Sequence, residues 1–117
     1  MQVNVDDCIF CRMARDEMKV DKLYEDDLVF AIYDINPRAP THILIITREH
    51  ILSALHLGPK HAATLGRMYT AAAKLAKEGG VADSGFRLAV NCGDDAGQTV
   101  YHLHMHLLAG RRLGPEG

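Results

Sequence analysis

Three histidines alternate with apolar residues in residues 101–108, and imidazole is the side chain best suited to acid–base and nucleophilic chemistry near neutral pH. In a β-strand, His102, His104 and His106 would line one face, and the intervening leucine and methionine residues the other. Side chains on one face recur about every 6.6 Å, so the outer two histidines lie about 13 Å apart and one metal ion cannot bind all three. The pattern predicts a reactive row of imidazoles; a solvated polar strand face is the alternative.

A loop rich in glycine and aspartate, residues 91–99, leads directly into this strand. Its glycines let backbone N–H groups approach an anion closely, and such donors in series form an anion-binding nest. Asn91, Gln98 and Thr99 add amide and hydroxyl groups that can hydrogen-bond to oxyanions. A loop of this composition is commonly only a turn, but its place beside the imidazoles favours a phosphate site.

The length and composition indicate a single-domain globular protein. The chain has 117 residues, 48% of them hydrophobic, and a formal net charge of −2 without any block of like charge. This length fits one domain, residues 1–117, with a short tail at 109–117. We expect no nucleic-acid or membrane partner, because there is neither a basic patch nor an apolar run long enough to span a bilayer. The polar residues 1–7 do not resemble a signal peptide and the odd cysteine count disfavours disulfides, which together predict a cytoplasmic protein.

Hydrophobic periodicity and turn residues predict an α+β fold with an antiparallel sheet. The order of elements is helix, three strands, long helix and two strands. The predicted elements are a helix at 8–17, strands at 22–25, 28–33 and 41–47, a long helix that opens at Pro59 and ends at 79–80, a strand at 86–91 and the histidine strand at 101–108.

Cys8 and Cys11 form a C-x-x-C pair at the start of the first predicted helix. The spacing suits one tetrahedral zinc ion, which then needs two more ligands from among the seven histidines. Two buried free thiols or a redox motif are the alternatives, although no strand precedes the pair as it does in thioredoxin-like folds. The third cysteine, Cys92, has no partner and is predicted to be a small buried residue.

Residues 102–108 match the histidine triad signature, and residues 34–46 and 97–102 extend the match. On these segments the chain resembles the histidine triad family, in particular its purine nucleoside phosphoramidase branch, from about residue 8 to residue 115. The resemblance implies an antiparallel sheet of about five strands with one short N-terminal helix and one long helix. It also implies a homodimer whose sheets join across a two-fold axis.

The resemblance further implies a hydrolase that cleaves the P–N bond of purine nucleoside 5′-phosphoramidates, that also accepts lysyl and other aminoacyl adenylates, and that releases the nucleoside monophosphate. His104 resembles the nucleophile, which would form a nucleotidyl-histidine intermediate, and His106 and His42 resemble the residues that assist the leaving group. Asp34 resembles the carboxylate that accepts both ribose hydroxyls. The other implied nucleotide contacts, besides His104 and His106, are Asn91, Gly97 and Thr99 around the phosphate and Ile9, Phe10, Met13, Ile32 and Ile35 around the purine. For Ile32 a place in the core is an equal alternative.

Some relatives bind zinc through two cysteines, a histidine after the third strand and the first triad histidine. These positions correspond to Cys8, Cys11, His50 and His102, so the resemblance implies a structural zinc site and no organic cofactor. Two other functions stay open: a dinucleoside polyphosphate hydrolase, phosphorylase or nucleotidyltransferase of the same superfamily, and an interaction module that binds nucleotide or zinc with little turnover. The short tail lacks the tryptophan of animal phosphoramidases, which leaves the leaving-group preference open.

Overall fold

The computed structural model describes residues 5–117; residues 1–4, the first part of the polar N-terminal segment, lie outside them. Within the described part no helix has the length and apolar character needed to cross a membrane. The helices are α1 (Ile9–Ala14) and α2 (Ala62–Glu78), and the strands are β1 (Tyr24–Glu25), β2 (Val29–Tyr33), β3 (Thr41–Thr47), β4 (Phe86–Ala89) and β5 (His104–Ala109).

The five strands form one sheet in the order β1-β2-β3-β5-β4, and every neighbouring pair is antiparallel. This confirms the α+β class, the strand number and the two helices. Only β3 has the bounds predicted from the sequence. The first helix is shorter than predicted, and Pro59 opens a 3-10 turn, Pro59–His61, rather than the long helix itself.

The histidine strand is also shorter than predicted, because its first residues leave the sheet. The backbone N–H of Leu103 donates to the carbonyl of Ile51 at 2.6 Å instead of continuing the ladder with β3. Regular pairing therefore begins at His104, opposite Ile46. The predicted alternation nevertheless holds in space, since Leu103 lies in the apolar core while His102 and His104 both contact Phe10 on the opposite side.

The two faces of the sheet are covered differently. On one face α2 buries Met68, Ala72 and Leu75 against the sheet, and its alanines allow the helix to approach closely. On the other face α1 covers only one end of the sheet, where its Phe10 joins a second apolar cluster with Phe30. Beside α1 the described residues leave a cavity on that face.

Asp26 ties the β1–β2 hairpin to α2. One carboxylate oxygen accepts hydrogen bonds from the backbone N–H groups of Leu28 and Val29, at 2.7 and 2.9 Å. The other oxygen accepts from the Tyr24 hydroxyl and lies 2.8 Å from Nη1 of Arg67. Burial alone would raise the pKa of Asp26, but the hydrogen bonds from Tyr24 and Arg67 hold that pKa well below its usual value.

We expect Asp26→Asn to lower the free energy of unfolding at pH 7 by about 1–3 kcal/mol, because the amide cannot replace the charge that faces Arg67. A carboxyl whose pKa is depressed on folding stabilises the protein above the unfolded pKa, and this contribution is lost as the pH falls through the folded pKa. The difference between variant and wild type should therefore shrink below about pH 4. Urea denaturation at pH 7 and at pH 3.5 measures both effects.

The neighbouring Asp27→Asn is the matched control. Its side chain is 83% exposed and lies 3.4 Å from the same arginine. We expect a change within about 0.5 kcal/mol, as for other solvated ion pairs. Equal losses from the two substitutions would contradict the role given to Asp26.

Candidate active site and metal centre

A cavity of about 490 Å³ opens on the face of the sheet that α2 does not cover. Its walls come from α1, the end of β2, the loop before β5, and β5 itself. The structure brings every predicted nucleotide contact to this one cavity: Ile9, Phe10, Met13, Ile32, Asp34, Ile35, Asn91, Gly97, Thr99, His104 and His106. The lining residues not predicted from the sequence are Tyr33, Asn36, Arg38, Leu44 and Val100.

The apolar end of the cavity is a slot between isoleucines. Ile35 is 91% exposed and Ile9 is 40% exposed, so neither side chain is stabilised much by packing in the core. Ile32 is only 4% exposed and packs in the cluster that contains Leu44, and it serves both the core and the slot. Exposed aliphatic side chains beside an apolar wall can sandwich a flat ring.

His104 presents a neutral nitrogen to the polar end of the cavity. Its Nδ1–H donates to the backbone carbonyl of His102 at 2.7 Å, which leaves the lone pair on Nε2. Burial lowers the pKa of His104, although the hydrogen bond to the carbonyl opposes the shift. A neutral imidazole held in this tautomer is a competent nucleophile without a separate base.

A backbone amide fixes the tautomer of His42. The N–H of Arg38 donates to His42 Nδ1 at 3.1 Å, and because an amide can only donate, the proton of His42 lies on Nε2. Nε2 of His42 is 2.9 Å from Nδ1 of His106, so His42 donates there and His106 carries its own proton on Nε2. The order of protons along Arg38, His42 and His106 is therefore set from the main chain.

His106 is neutral in the free protein. Burial, followed by the nearby His104, His42 and Arg38, lowers the pKa of His106 to about 4. His42 also has a lowered pKa, chiefly because it is buried. His42 lies behind His106, with 5.2 Å between the ring centroids, and does not itself line the cavity.

Asp34 stands at the mouth of this histidine cluster. One of its oxygens accepts from the Asn36 N–H at 2.8 Å, and the other lies 3.4 Å from Nε2 of His42. Asp34, His42 and His106 are close enough together to suggest a metal site. A metal ligand must offer a lone pair, however, and Nε2 of His42 carries the proton. We therefore assign no metal to this group.

The loop before β5 is braced from within. Gly97 has a φ of +87°, in the left-handed region that glycine adopts without strain. The Gln98 side chain is buried. It accepts from the Gly93 N–H at 2.9 Å, and its NH2 group donates to the carbonyls of Leu52 at 2.9 Å and Val100 at 3.2 Å. The sequence prediction that Gln98 offers its amide to an anion is wrong, because these contacts occupy the amide.

Four ligand atoms meet beside the cavity. The Sγ atoms of Cys8 and Cys11 each lie 3.2 Å from a histidine Nδ1, that of His102 and that of His50 respectively. The two Nδ1 atoms are 3.1 Å apart. A tetrahedral metal with nitrogen ligands at about 2.05 Å and sulfur ligands at about 2.3 Å separates two nitrogens by about 3.3 Å and a nitrogen from a sulfur by about 3.6 Å. The donor atoms are close to that arrangement.

The protonation of the cluster also fits a cation. His102 donates Nε2–H to the Thr47 carbonyl at 2.6 Å, so the Nδ1 lone pair faces the cysteines. Burial and the adjacent Cys8 thiol raise the pKa of Cys11, because without a positive charge two thiolates cannot be close neighbours. Cys8, Cys11, His50 and His102 thus form a group that could hold a metal ion.

Cys92 differs from its prediction. It is exposed, because β4 ends at Ala89 and the chain has already entered the loop. Hydrogen bonds from Ser53 and from the backbone N–H of Leu55 lower the pKa of the thiol.

The chain is similar to proteins of known family and fold. A family model described as HIT domain matches residues 15–113. A purine nucleoside phosphoramidase of Escherichia coli (strain K12) is 49% identical over 110 residues, which is 94% of this chain and 92% of that protein. The crystal structure of a HIT family hydrolase from Legionella pneumophila Philadelphia 1 superposes with a TM-score of 0.91 at 39% identity, over 94% of this chain and 99% of that one. A Zn-bound histidine triad family protein from Mycobacterium smegmatis superposes with a TM-score of 0.78 at 28% identity, over 92% of this chain and 78% of that one.

Proposed function

Because the chain belongs to the HIT domain family, we propose that it is a phosphoramidase that cleaves the P–N bond of purine nucleoside 5′-phosphoramidates, aminoacyl and lysyl adenylates being further substrates. The observation that carries the proposal is the state of His104, a neutral imidazole whose Nε2 lone pair is left for the cavity by the hydrogen bond to His102. The similar Escherichia coli protein, a purine nucleoside phosphoramidase, supports the substrate class.

The nucleotide would lie along the cavity. The purine enters the slot beside Ile9 and Ile35, and the ribose hydroxyls donate to Asp34, whose carboxylate is oriented by the Asn36 N–H. The α-phosphate would then lie at the polar end of the cavity, against His104. The groups available there for the phosphate oxygens and the leaving nitrogen belong to Asn91, Gly97, Thr99 and His106. Phe10, Met13 and Ile32 complete the apolar walls.

In the first step the Nε2 lone pair of His104 forms a bond to the α-phosphorus while the P–N bond to the leaving group breaks. The bound phosphate anion would favour a protonated His42–His106 pair. The departing nitrogen takes a proton from Nε2 of His106 and leaves as an amine, and the pair returns to its neutral state. His42, which donates to the other nitrogen of His106, orients that ring. The product of this step is a nucleotidyl-His104 intermediate.

In the second step water attacks the phosphorus and the bond to His104 Nε2 breaks. The hydroxyl of the water stays on phosphorus and its proton returns to Nε2 of His106. The nucleoside monophosphate leaves, and His104 regains its lone pair. One water is consumed for each amine and each nucleoside monophosphate released.

We also propose that the metal held by Cys8, Cys11, His50 and His102 is a structural zinc ion. Two sulfur and two nitrogen donors near tetrahedral spacing support zinc, and so does the zinc-bound Mycobacterium smegmatis relative. A closed set of four protein ligands leaves no open position for a substrate. The ion would therefore hold α1 and the start of the histidine segment together.

We propose that residues 1–117 act as one domain that forms a homodimer in the cytoplasm. β4 is an edge strand of the sheet; Phe86 at its start is 37% exposed, and Val90, directly after its end, is 38% exposed. An edge strand with unpaired backbone groups and apolar side chains is a ready surface for a second copy. Metal-binding thiols such as Cys8 and Cys11 suit a reducing compartment.

The nucleophile is tested by amine release from a fluorogenic adenosine 5′-phosphoramidate. We expect steady hydrolysis by the wild-type protein and a loss of roughly 10³-fold or more for His104→Ala, because the covalent route is removed. His56→Ala is the control, since His56 is exposed and lies outside the cavity. No hydrolysis by the wild-type protein, or hydrolysis that persists without His104, would contradict the proposal. Turnover restricted to dinucleoside polyphosphates would favour the alternative enzyme of the superfamily.

The metal is tested by elemental analysis of the purified protein. We expect about one zinc ion per chain, and a loss of zinc together with a lower thermal midpoint in Cys11→Ser, because a structural ion contributes directly to folding. Cys92→Ser is the matched control, because Cys92 lies outside the ligand group, and it should keep both zinc and thermal midpoint. Equal zinc content in the two variants would rule out the ligand set.

A further inference from the structure

The cavity contains one fixed cation. Among the residues that line it in the described part of the chain, Arg38 is the one side chain with a permanent positive charge and Asp34 the one carboxylate. His106, the imidazole beside Arg38, adds no charge to the free protein, since its Nδ1 accepts from His42 Nε2 at 2.9 Å and its pKa is about 4. The proposed function assigns Asp34 to the ribose and leaves Arg38 without a role.

The guanidinium of Arg38 lies where the leaving group would depart. Nη2 is 3.4 Å from Nδ1 of His106, and the backbone N–H of the same arginine is bound to His42. The proposed reaction assigns these two histidines to the leaving-group side of the phosphorus, because the group displaced in line departs opposite His104. Arg38 is thus placed to meet atoms of the leaving group rather than the purine.

The backbone of Arg38 is held by two hydrogen bonds, whereas its guanidinium makes one long contact, 3.4 Å, with Nδ1 of His106. The N–H of Arg38 donates to His42 Nδ1 at 3.1 Å, and its carbonyl accepts from Nη2 of Arg111 at 2.9 Å. Arg38 is itself exposed, and within residues 5–117 no carboxylate forms an ion pair with its guanidinium. A fixed backbone beneath an unpaired guanidinium is preorganised for an oxyanion, because little of the chain has to be ordered on binding.

The charge balance favours a carboxylate over a phosphate as the partner. One guanidinium forms a bidentate, charge-matched pair with one carboxylate. A phosphate monoester near pH 7 carries up to two negative charges, and among the described residues that line the cavity Arg38 is the one permanent cation. Arg111, which donates to the Arg38 carbonyl, does not line the cavity.

From this placement we infer that Arg38 determines specificity for the leaving group by binding a carboxylate on the departing amine. The inference rests on the proposed phosphoramidase function and narrows its substrates. Preferred substrates are nucleoside 5′-phosphoramidates formed with the α-amino group of an amino acid or short peptide whose carboxylate is free.

Two substrates that differ only in charge test the inference. These are the adenosine 5′-phosphoramidates of glycine and of glycinamide, and kcat/KM is measured for each by AMP release from the full-length, zinc-loaded protein. The quantity of interest is the ratio of the two kcat/KM values. Intrinsic differences between the two amines cancel when this ratio is compared between wild type and variant.

We expect Arg38→Gln to lower the ratio of glycine to glycinamide by roughly tenfold, the effect of losing one charge-assisted hydrogen-bonded pair. Arg38→Lys should lower the ratio by less, since lysine keeps the positive charge but lacks the planar guanidinium that forms two parallel hydrogen bonds with a carboxylate. Lys77→Gln, which removes an exposed cation from α2 on the opposite side of the sheet, should keep the wild-type ratio. The wild-type ratio should also fall as salt screens the pair.

An unchanged ratio in Arg38→Gln would overturn the inference, whether activity on both substrates is retained or falls equally, because Arg38 would then act on the α-phosphate or through His106. A third substrate, made with 2-aminoethyl phosphate, separates the two anion classes. If the preference that depends on Arg38 is larger for this substrate than for the glycine substrate, the group that Arg38 binds is a phosphate, and the inference of a carboxylate is overturned. Absence of hydrolysis of all three substrates by the wild-type protein would refute the proposed function itself, which is a different result from hydrolysis with an unchanged ratio.

Discussion

The 2.7 Å hydrogen bond from His104 Nδ1–H to the His102 carbonyl determines which nitrogen of His104 is available in the cavity. The same His102 donates Nε2–H to the Thr47 carbonyl and turns Nδ1 toward Cys8 and Cys11. One residue therefore orients the candidate nucleophile through its backbone and completes the candidate metal centre through its side chain. The first role depends on the backbone leaving the sheet before β5, since a residue in regular antiparallel pairing commits its carbonyl to the neighbouring strand.

The faces of the sheet could be predicted from the sequence because side-chain alternation is a local property. Leu103, Met105 and Leu107 lie in the core, and the triad histidines lie opposite them. The start of β5 could not be predicted in the same way. It depends on the hydrogen bond from the Leu103 N–H to Ile51, a residue 52 positions earlier in the chain, and no local pattern contains that contact.

The same distinction between local patterns and long-range contacts applies to the candidate site. Residue types and family resemblance were enough to name the side chains that the structure brings to one cavity. They did not identify Arg38, because its place beside His106 depends on how the turn before β3 meets β5. The bracing role of Gln98 and the lowered pKa of Cys92 were missed for a related reason, since both depend on contacts with residues 52–55.

The order of protons along Arg38, His42 and His106 begins at a main-chain amide, which every residue except proline possesses. Position 38 thus carries two separable properties: the backbone sets the direction of the hydrogen bonds, and the side chain sets the charge at the far end of the cavity. Any residue other than proline at position 38 keeps the amide that fixes the tautomer of His42. On the inference above, a change of side chain at this position would alter the preferred leaving group while the main chain still sets the direction of these hydrogen bonds.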